Sequence, residues 1–309
     1  MVLVRICSWV SRMFTWPFAP QSAEAKPAPQ PLQANTPQPG SPLHAAHPPI
    51  DDSIEPAQHD PYLGLGFIGS GMTGFIFKLG EDRAVKKAKH YERNPRDPHT
   101  EYYNEINQET LNNEIQVYQR LGGHEGIIHC FQTSQYGIEL ALAQGDLADF
   151  LESHPEPDDT FKTRWMLSLI ETFLYIHSRN IFVDDIAPRN ILVLDNELRL
   201  ADFGQSVLLP LDADLNSITE NNMNVQIEIL HVGWVLYAIA SWHVHDYYFF
   251  DAEYPDFCWP SSFPDVDDML CGMIIRKCWH GEYASMQSVQ EDAYRLFAVH
   301  RETGSTSSE

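Results

Sequence analysis

The 309-residue sequence has no uncharged apolar run of about 18 residues, so no membrane-spanning helix is expected. Basic residues are scarce: 20 lysines and arginines stand against 43 aspartates and glutamates, a formal net charge of −23. A surface of that sign repels nucleic acid and anionic membranes, so neither is expected as a partner. It is compatible with a basic protein partner, although acidity more often serves solubility alone. Cysteine is rare as well. Positions 7, 130, 258, 271 and 278 make an odd number without metal-ligand pairing. Reduced thiols in a cytoplasmic or otherwise intracellular protein are therefore expected rather than a disulfide framework. What remains is ordinary for a globular chain, with 43% hydrophobic and 20% charged residues and enough length to bury a substantial core.

Four regions differ in character. Residues 1–18 are apolar and aromatic, with Arg5 and Arg12 as their only charges. They lack the long apolar core and small-residue cleavage site of a signal peptide. Val10, Met13, Phe14 and Trp16 suit contact with a membrane surface or a partner. The absence of any acid before Glu24 is also compatible with mitochondrial targeting. Residues 19–60 are rich in proline, with Gln, Ala, Ser and His between, and predict a disordered linker that cannot offset its ordering entropy. Residues 61–300 read as one globular domain, and 301–309 as a disordered tail.

Within the domain, strands precede helices. Leu65–Leu79 alternates and is glycine-rich, which predicts a hairpin. Arg83–Ala88, Gly126–Phe131, Gly137–Leu142 and Leu198–Ala201 predict strands. Helices are predicted over Asn104–Leu121, Leu147–Leu151, Phe161–Ser178, Val225–Ala240, Asp267–Trp279 and Met286–Ala298. That order suits an α+β protein with two lobes.

Four motifs carry chemistry. Gly69, Ser70, Gly71 and Gly74, between Ile68 and Ile76, let backbone N–H groups approach phosphate oxygens. Because the chain continues as strand through Phe75–Leu79, a dinucleotide-binding helix is excluded. Next, Ala84-Val85-Lys86 places a lysine in an apolar strand, where a carboxylate must orient it. Glu114 on the following amphipathic helix is preferred over Glu105 and Glu109, since apolar neighbours flank it. Then Asp185, Arg189 and Asn190 lie in a polar loop between a helix and the strand Ile191–Leu194. An aspartate five residues before an asparagine can orient an attacking hydroxyl and offer an oxygen ligand to a hard cation. Finally Asp202-Phe203-Gly204 follows an apolar strand, with Asp202 as a further metal ligand.

These motifs, in this order, resemble those of the eukaryotic protein kinases across residues 62–300. The resemblance implies a two-lobed fold: a small, mainly antiparallel β lobe with one helix, and a larger helical lobe. It implies ATP and Mg2+ as cofactors and a protein hydroxyl, serine or threonine, as acceptor. Matched residue by residue, Gly69, Ser70, Gly71 and Gly74 would cover the phosphates, and Lys86 would hold them while paired with Glu114. Asp185 would act as base, Arg189 would support the transferred group, and Asn190 and Asp202 would bind magnesium. Ile68, Ile76, Ala84 and Leu192 would enclose adenine, with 140–145 as the hinge. In the C-terminal half, Glu228–Tyr237 and Ile275–Trp279 resemble the family's buried helix and its late I-x-x-C-W helix.

The departures are equally specific. Val183 and Asp184 stand where the family has histidine and arginine, so an activation-segment phosphate on Ser206, Ser217 or Thr219 would meet a repelling charge. No A-P-E motif occurs between Gly204 and Glu228, and its arginine partner is missing near Tyr283. Two other readings stay open for such a chain: a pseudokinase that binds nucleotide or a partner, and a small-molecule kinase.

Overall fold

The computed structural model describes residues 60–92, 99–221, 223–245 and 259–304. The expectations for residues 1–59 and 93–98 lie outside them. The described residues other than Trp259 form one compact unit.

The unit opens with a five-stranded antiparallel sheet of spatial order β1-β2-β3-β5-β4. Its strands are β1 (Gly66–Ser70), β2 (Gly74–Leu79), β3 (Arg83–Ala88), β4 (Cys130–Ser134) and β5 (Gly137–Ala141). Cross-strand partners share a face, so the register Gly69↔Ile76, Ile76↔Lys86 and Ala84↔Leu140 puts these residues on one side. Phe67, Phe75 and Phe77 fall on the other, with ring centroids 6.0 to 6.3 Å apart. Residues just before β1 are tied to the sheet, where Asp60 pairs with Lys87 and the Tyr62 hydroxyl donates to Glu139 at 2.9 Å.

Helix α1 (Thr100–Leu121) packs beside β3. Leu111, Glu114, Val117, Tyr118 and Leu121 recur on one helical stripe and are all buried. The helix starts four residues earlier than the apolar pattern predicts, because its first turn carries polar residues that no periodicity marks.

The rest is mainly helical: α2 (Leu147–Ser153), α3 (Asp159–Ser178), α4 (Val225–Ser241), α5 (Gly272–Trp279) and α6 (Met286–Gly304). Asp146, Asp158 and Asn224 each accept from a backbone N–H of the first turn of α2, α3 and α4. Helix α4 is mostly apolar and buried almost throughout, with Glu228 and His231 among its buried residues, as suits a central helix. Its C-terminal carbonyl at Ala240 accepts from the buried Lys162 ammonium at 2.9 Å. Short strands complete this lobe: β6 (Gly145–Asp146), β8 (Ile191–Leu194) and β9 (Glu197–Leu200) form one sheet, and β7 (Ile181–Phe182) pairs with β10 (Val207–Leu208). The expected α+β architecture with two lobes is the one observed.

Helix α6 runs on through Gly304, into the stretch expected to be a disordered tail, and two further elements differ from expectation. The predicted strand over Gly126–Phe131 begins only at Cys130, because Gly126 and Ile128 bond across to Leu200 in the helical lobe instead. The helix predicted from Asp267 begins at Gly272, since Cys271 takes a left-handed φ of 63° that interrupts a helix.

Candidate active site

Lys86 projects from β3 beneath the glycine-rich turn between β1 and β2. A Cβ on Gly74 would lie 3.2 Å from both the Lys86 side chain and the Lys87 carbonyl, so any larger residue would crowd the lysine stem. The same construction at Gly69 and Gly71 meets ordinary contact or open space, leaving that edge of the turn accessible. The Lys86 ammonium lies 2.6 Å from Glu114 and 2.7 Å from Asp202. Burial disfavours its charge, but the carboxylates of Glu114 and Asp202 outweigh that and raise its pKa. Burial pushes the Glu114 carboxyl up, against the pull of Lys86. Sequence left Glu105 and Glu109 as competitors; α1 turns Glu114 inward.

Asp202 sits at φ 59°, an uncommon conformation for a residue with a side chain. This twist sends its carboxylate to Lys86 while Phe203 enters the core, fully buried and edge-on to Tyr118 at 5.3 Å. Gly204 then passes so close to α1 that a Cβ would lie 2.5 Å from the Thr110 methyl. Sequence alone assigns that glycine to a turn; the structure adds a steric reason.

The polar loop is organised around Asp185. The Asn190 amide donates to the Asp185 carbonyl and to its carboxylate, both at 2.8 Å, and Arg189 pairs with the other carboxylate oxygen. Pro188–Asn190 form a single 3₁₀ turn that aims both side chains back at Asp185. Beneath the loop, the buried Glu228 of α4 accepts from the Val183 backbone at 2.7 Å and pairs with His177. His231, one helical turn further along α4, meets the Asp184 carbonyl, and burial holds its imidazole down to about 4. Burial, with the charges of Asp185 and Glu228, pushes the Asp184 carboxyl up to about 6.

The expected residues therefore form two groups. Lys86, Glu114 and Asp202 make one, and Asp185, Arg189 and Asn190 the other. A backbone bond from Ala201 to the Asn190 carbonyl, 3.0 Å long, ties them together. Ile76, Ala84 and Gly69 share the Lys86 face. Ile68 lies at the β1 bulge and is 39% exposed, Ser70 is exposed with its hydroxyl donating to the Gly71 carbonyl, and Leu192 lies on β8 opposite Asp146.

A divalent cation would find a carboxylate at Asp202 and an amide oxygen at Asn190, whose nitrogen is already spent on Asp185. Among the described residues no group of three or more His, Cys, Asp or Glu could hold a metal by itself. Two hard oxygen donors fit magnesium, which keeps waters and substrate phosphates in its shell.

The family model "Protein kinase domain" matches residues 62–230, more than half of the chain. The chain belongs to the protein kinase family. Among curated proteins, this kinase domain is 27% identical over 146 residues to the serine/threonine-protein kinase chk1 of Schizosaccharomyces pombe, covering 41% of this chain and 29% of that one. It is 29% identical over 163 residues to the serine/threonine-protein kinase pim-2 of Danio rerio, covering 48% of this chain and 51% of that one. With the MAP kinase kinase kinase wis4 of Schizosaccharomyces pombe it shares 27% over 187 residues, 57% of this chain and 12% of that one. The chain thus spans about half or less of these relatives.

Near Tyr283, where the kinase pattern would place the arginine partner of the A-P-E glutamate, the Gln226 amide donates to the Tyr283 carbonyl at 2.6 Å. Sequence reasoning missed this contact, as it missed Asn113, Arg120 and Asn180, which grip the segment after Asp202. Their one visible signal is that each is polar and borders a buried stripe or a strand.

Proposed function

We propose that this domain is an active protein kinase, transferring the γ-phosphoryl group of Mg·ATP to a serine or threonine hydroxyl. The observation that carries the reading is the closed Lys86–Glu114–Asp202 cluster, at 2.6 and 2.7 Å. An ammonium fixed by two carboxylates is suited to orient phosphates, because it holds its charge without needing to be recruited. In this reading Asp185 orients the acceptor hydroxyl and takes its proton as oxygen bonds to phosphorus. The bond to the nucleoside diphosphate breaks in the same displacement. Arg189, beside Asp185, faces the charge of the transferred group. Asn190 and Asp202 would hold Mg2+, which neutralises charge on the phosphate oxygens. The serine/threonine preference follows the relatives named for that activity. The kinase domain is taken as residues 61–300, working inside the cell.

Incubation with labelled ATP, Mg2+ and generic protein substrates tests this, with Lys86→Ala, Asp185→Asn and Asp202→Ala alongside. Transfer by the wild type, lost in all three variants, is the expected result. Transfer unaffected by Asp185→Asn would remove the assigned base.

A pseudokinase is the second reading, favoured by the Arg189 pair that occupies the Asp185 carboxylate. It predicts that Mg·ATP raises the melting temperature while no substrate is labelled. Labelling of a metabolite but of no protein would instead indicate a small-molecule kinase.

A further inference from the structure

After Asp202 the chain runs through Phe203–Ala213 without a regular element except the two residues of β10. Three side chains from outside hold it. Asn113 of α1 donates to the carbonyls of Gly204 at 3.0 Å and Ser206 at 2.8 Å. Arg120, in the last turn of α1, donates to the Leu209 carbonyl at 2.5 Å and to Asn180 at 3.3 Å. Asn180, between α3 and β7, donates to the carbonyls of Pro210 at 2.8 Å and Ala213 at 2.9 Å. Its own carbonyl accepts from the Leu209 N–H at 3.0 Å. Asn180 has a φ of 52°, which an asparagine tolerates better than most residues and which turns its amide onto the segment.

Each of these acceptors is a main-chain carbonyl. The grip therefore needs no charge on the segment and no particular side chain within it. It acts on the reacting groups through α1, since Asn113 adjoins Glu114 and both ride on one rigid helix. Fixing Asn113 and Arg120 against the segment fixes Glu114 under Lys86, and fixes Gly204 behind Asp202.

A phosphate has no role left in this arrangement. Arg120 is engaged on carbonyls and Arg189 on Asp185. Asp184 occupies the loop position where a cation would be wanted. Ser206 is buried at 5% exposure, and a doubly charged group there would be desolvated without a counter-ion.

We propose that Asn113, Arg120 and Asn180 are positioning residues that latch the segment to α1, so that the Lys86–Glu114–Asp202 arrangement stands without activation-segment phosphorylation. The proposal rests on the phosphotransfer reading for its activity arm only.

The test uses the full chain, as purified and after phosphatase treatment, with Ser217→Ala and Thr219→Ala. Four latch variants accompany it. Asn113→Asp keeps the size and removes both donors, and Asn180→Asp does the same at its site. Arg120→Met removes the donor, whereas Arg120→Lys restores one. Phosphatase treatment and the two alanine variants should leave activity within about twofold. Asn113→Asp, Asn180→Asp and Arg120→Met should lower kcat/KM for ATP by about tenfold or more, and speed amide hydrogen exchange across 204–213. Arg120→Lys should recover part of both.

Activity lost on phosphatase treatment and regained on rephosphorylation would overturn the proposal. So would unchanged exchange and unchanged Mg·ATP affinity in the donor-free variants. A wild type that transfers no phosphate ends the kinase reading alone, because exchange and nucleotide affinity still report on the latch.

Discussion

Around Lys86 the chain is held by ions, and just past Asp202 it is held by side-chain donors on backbone carbonyls. Lys86, Glu114 and Asp202 are a buried charge cluster in which each member answers another's charge. From Gly204 to Ala213 the donors are two asparagines and one arginine, and the acceptors are backbone carbonyls. The first arrangement tolerates no change of type, because removing one ion strands the others in a medium of low polarity. The hydrogen bonds of the second ask for no particular side chain in the segment, because every residue supplies a carbonyl. The departures from the family pattern fall in the segment and in the loop residues Val183 and Asp184, while Lys86, Glu114 and Asp202 keep it.

The strongest way to break the comparison is to discharge the first region. Lys86→Met keeps much of the side-chain length and leaves Glu114 buried, 0% exposed, with no cation. Stability should fall by about 3–5 kcal/mol, and phosphotransfer should be lost. Adding Glu114→Leu should restore most of the stability and none of the activity, as measured by chemical denaturation and by labelled ATP. If the single variant proves as stable as wild type, the cluster is not held by charge.

A smaller effect tests the steric side of the second region. Gly204→Ala puts a methyl into the 2.5 Å gap beside the Thr110 side chain. The expected cost is about 1–3 kcal/mol of stability, with α1 pushed from the segment. Thr110→Ser removes the methyl that clashes and keeps the hydroxyl bond to the Ile106 carbonyl, so the double variant should recover. No recovery in the melting curve would mean that the backbone, not Thr110, sets the distance.

The two regions were unequally legible in the sequence. Lys86, Asp185, Asn190 and Asp202 announce themselves through residue type and order, because phosphate and cation chemistry needs those groups at those places. Glu114 was readable from the buried stripe of α1. Asn113 was not, since a half-buried asparagine on the flank of that stripe looks like any polar helix residue. Its partners are carbonyls, which leave no trace in a sequence. The Gln226–Tyr283 contact was hidden for the same reason. Gly126–Phe131 misled because an apolar run can earn its burial by bonding to Leu200 of the other lobe as easily as by joining the sheet.

The smallest effect lies at Asp184, in the loop position from which the family's arginine is absent. Burial, Asp185 and Glu228 raise its carboxyl to about 6, above the ordinary aspartate range. Between about pH 4 and 6 the folded chain therefore binds more protons at this site than the unfolded chain does. Stability falls as pH rises through that window, and the full penalty is present above it. Asp184→Asn carries no charge to penalise, so it should raise the melting temperature by a few degrees at pH 7.5. The gain should shrink as pH falls through 6 and nearly vanish toward 4. A gain of equal size at pH 5 and 7.5 would trace to packing rather than charge.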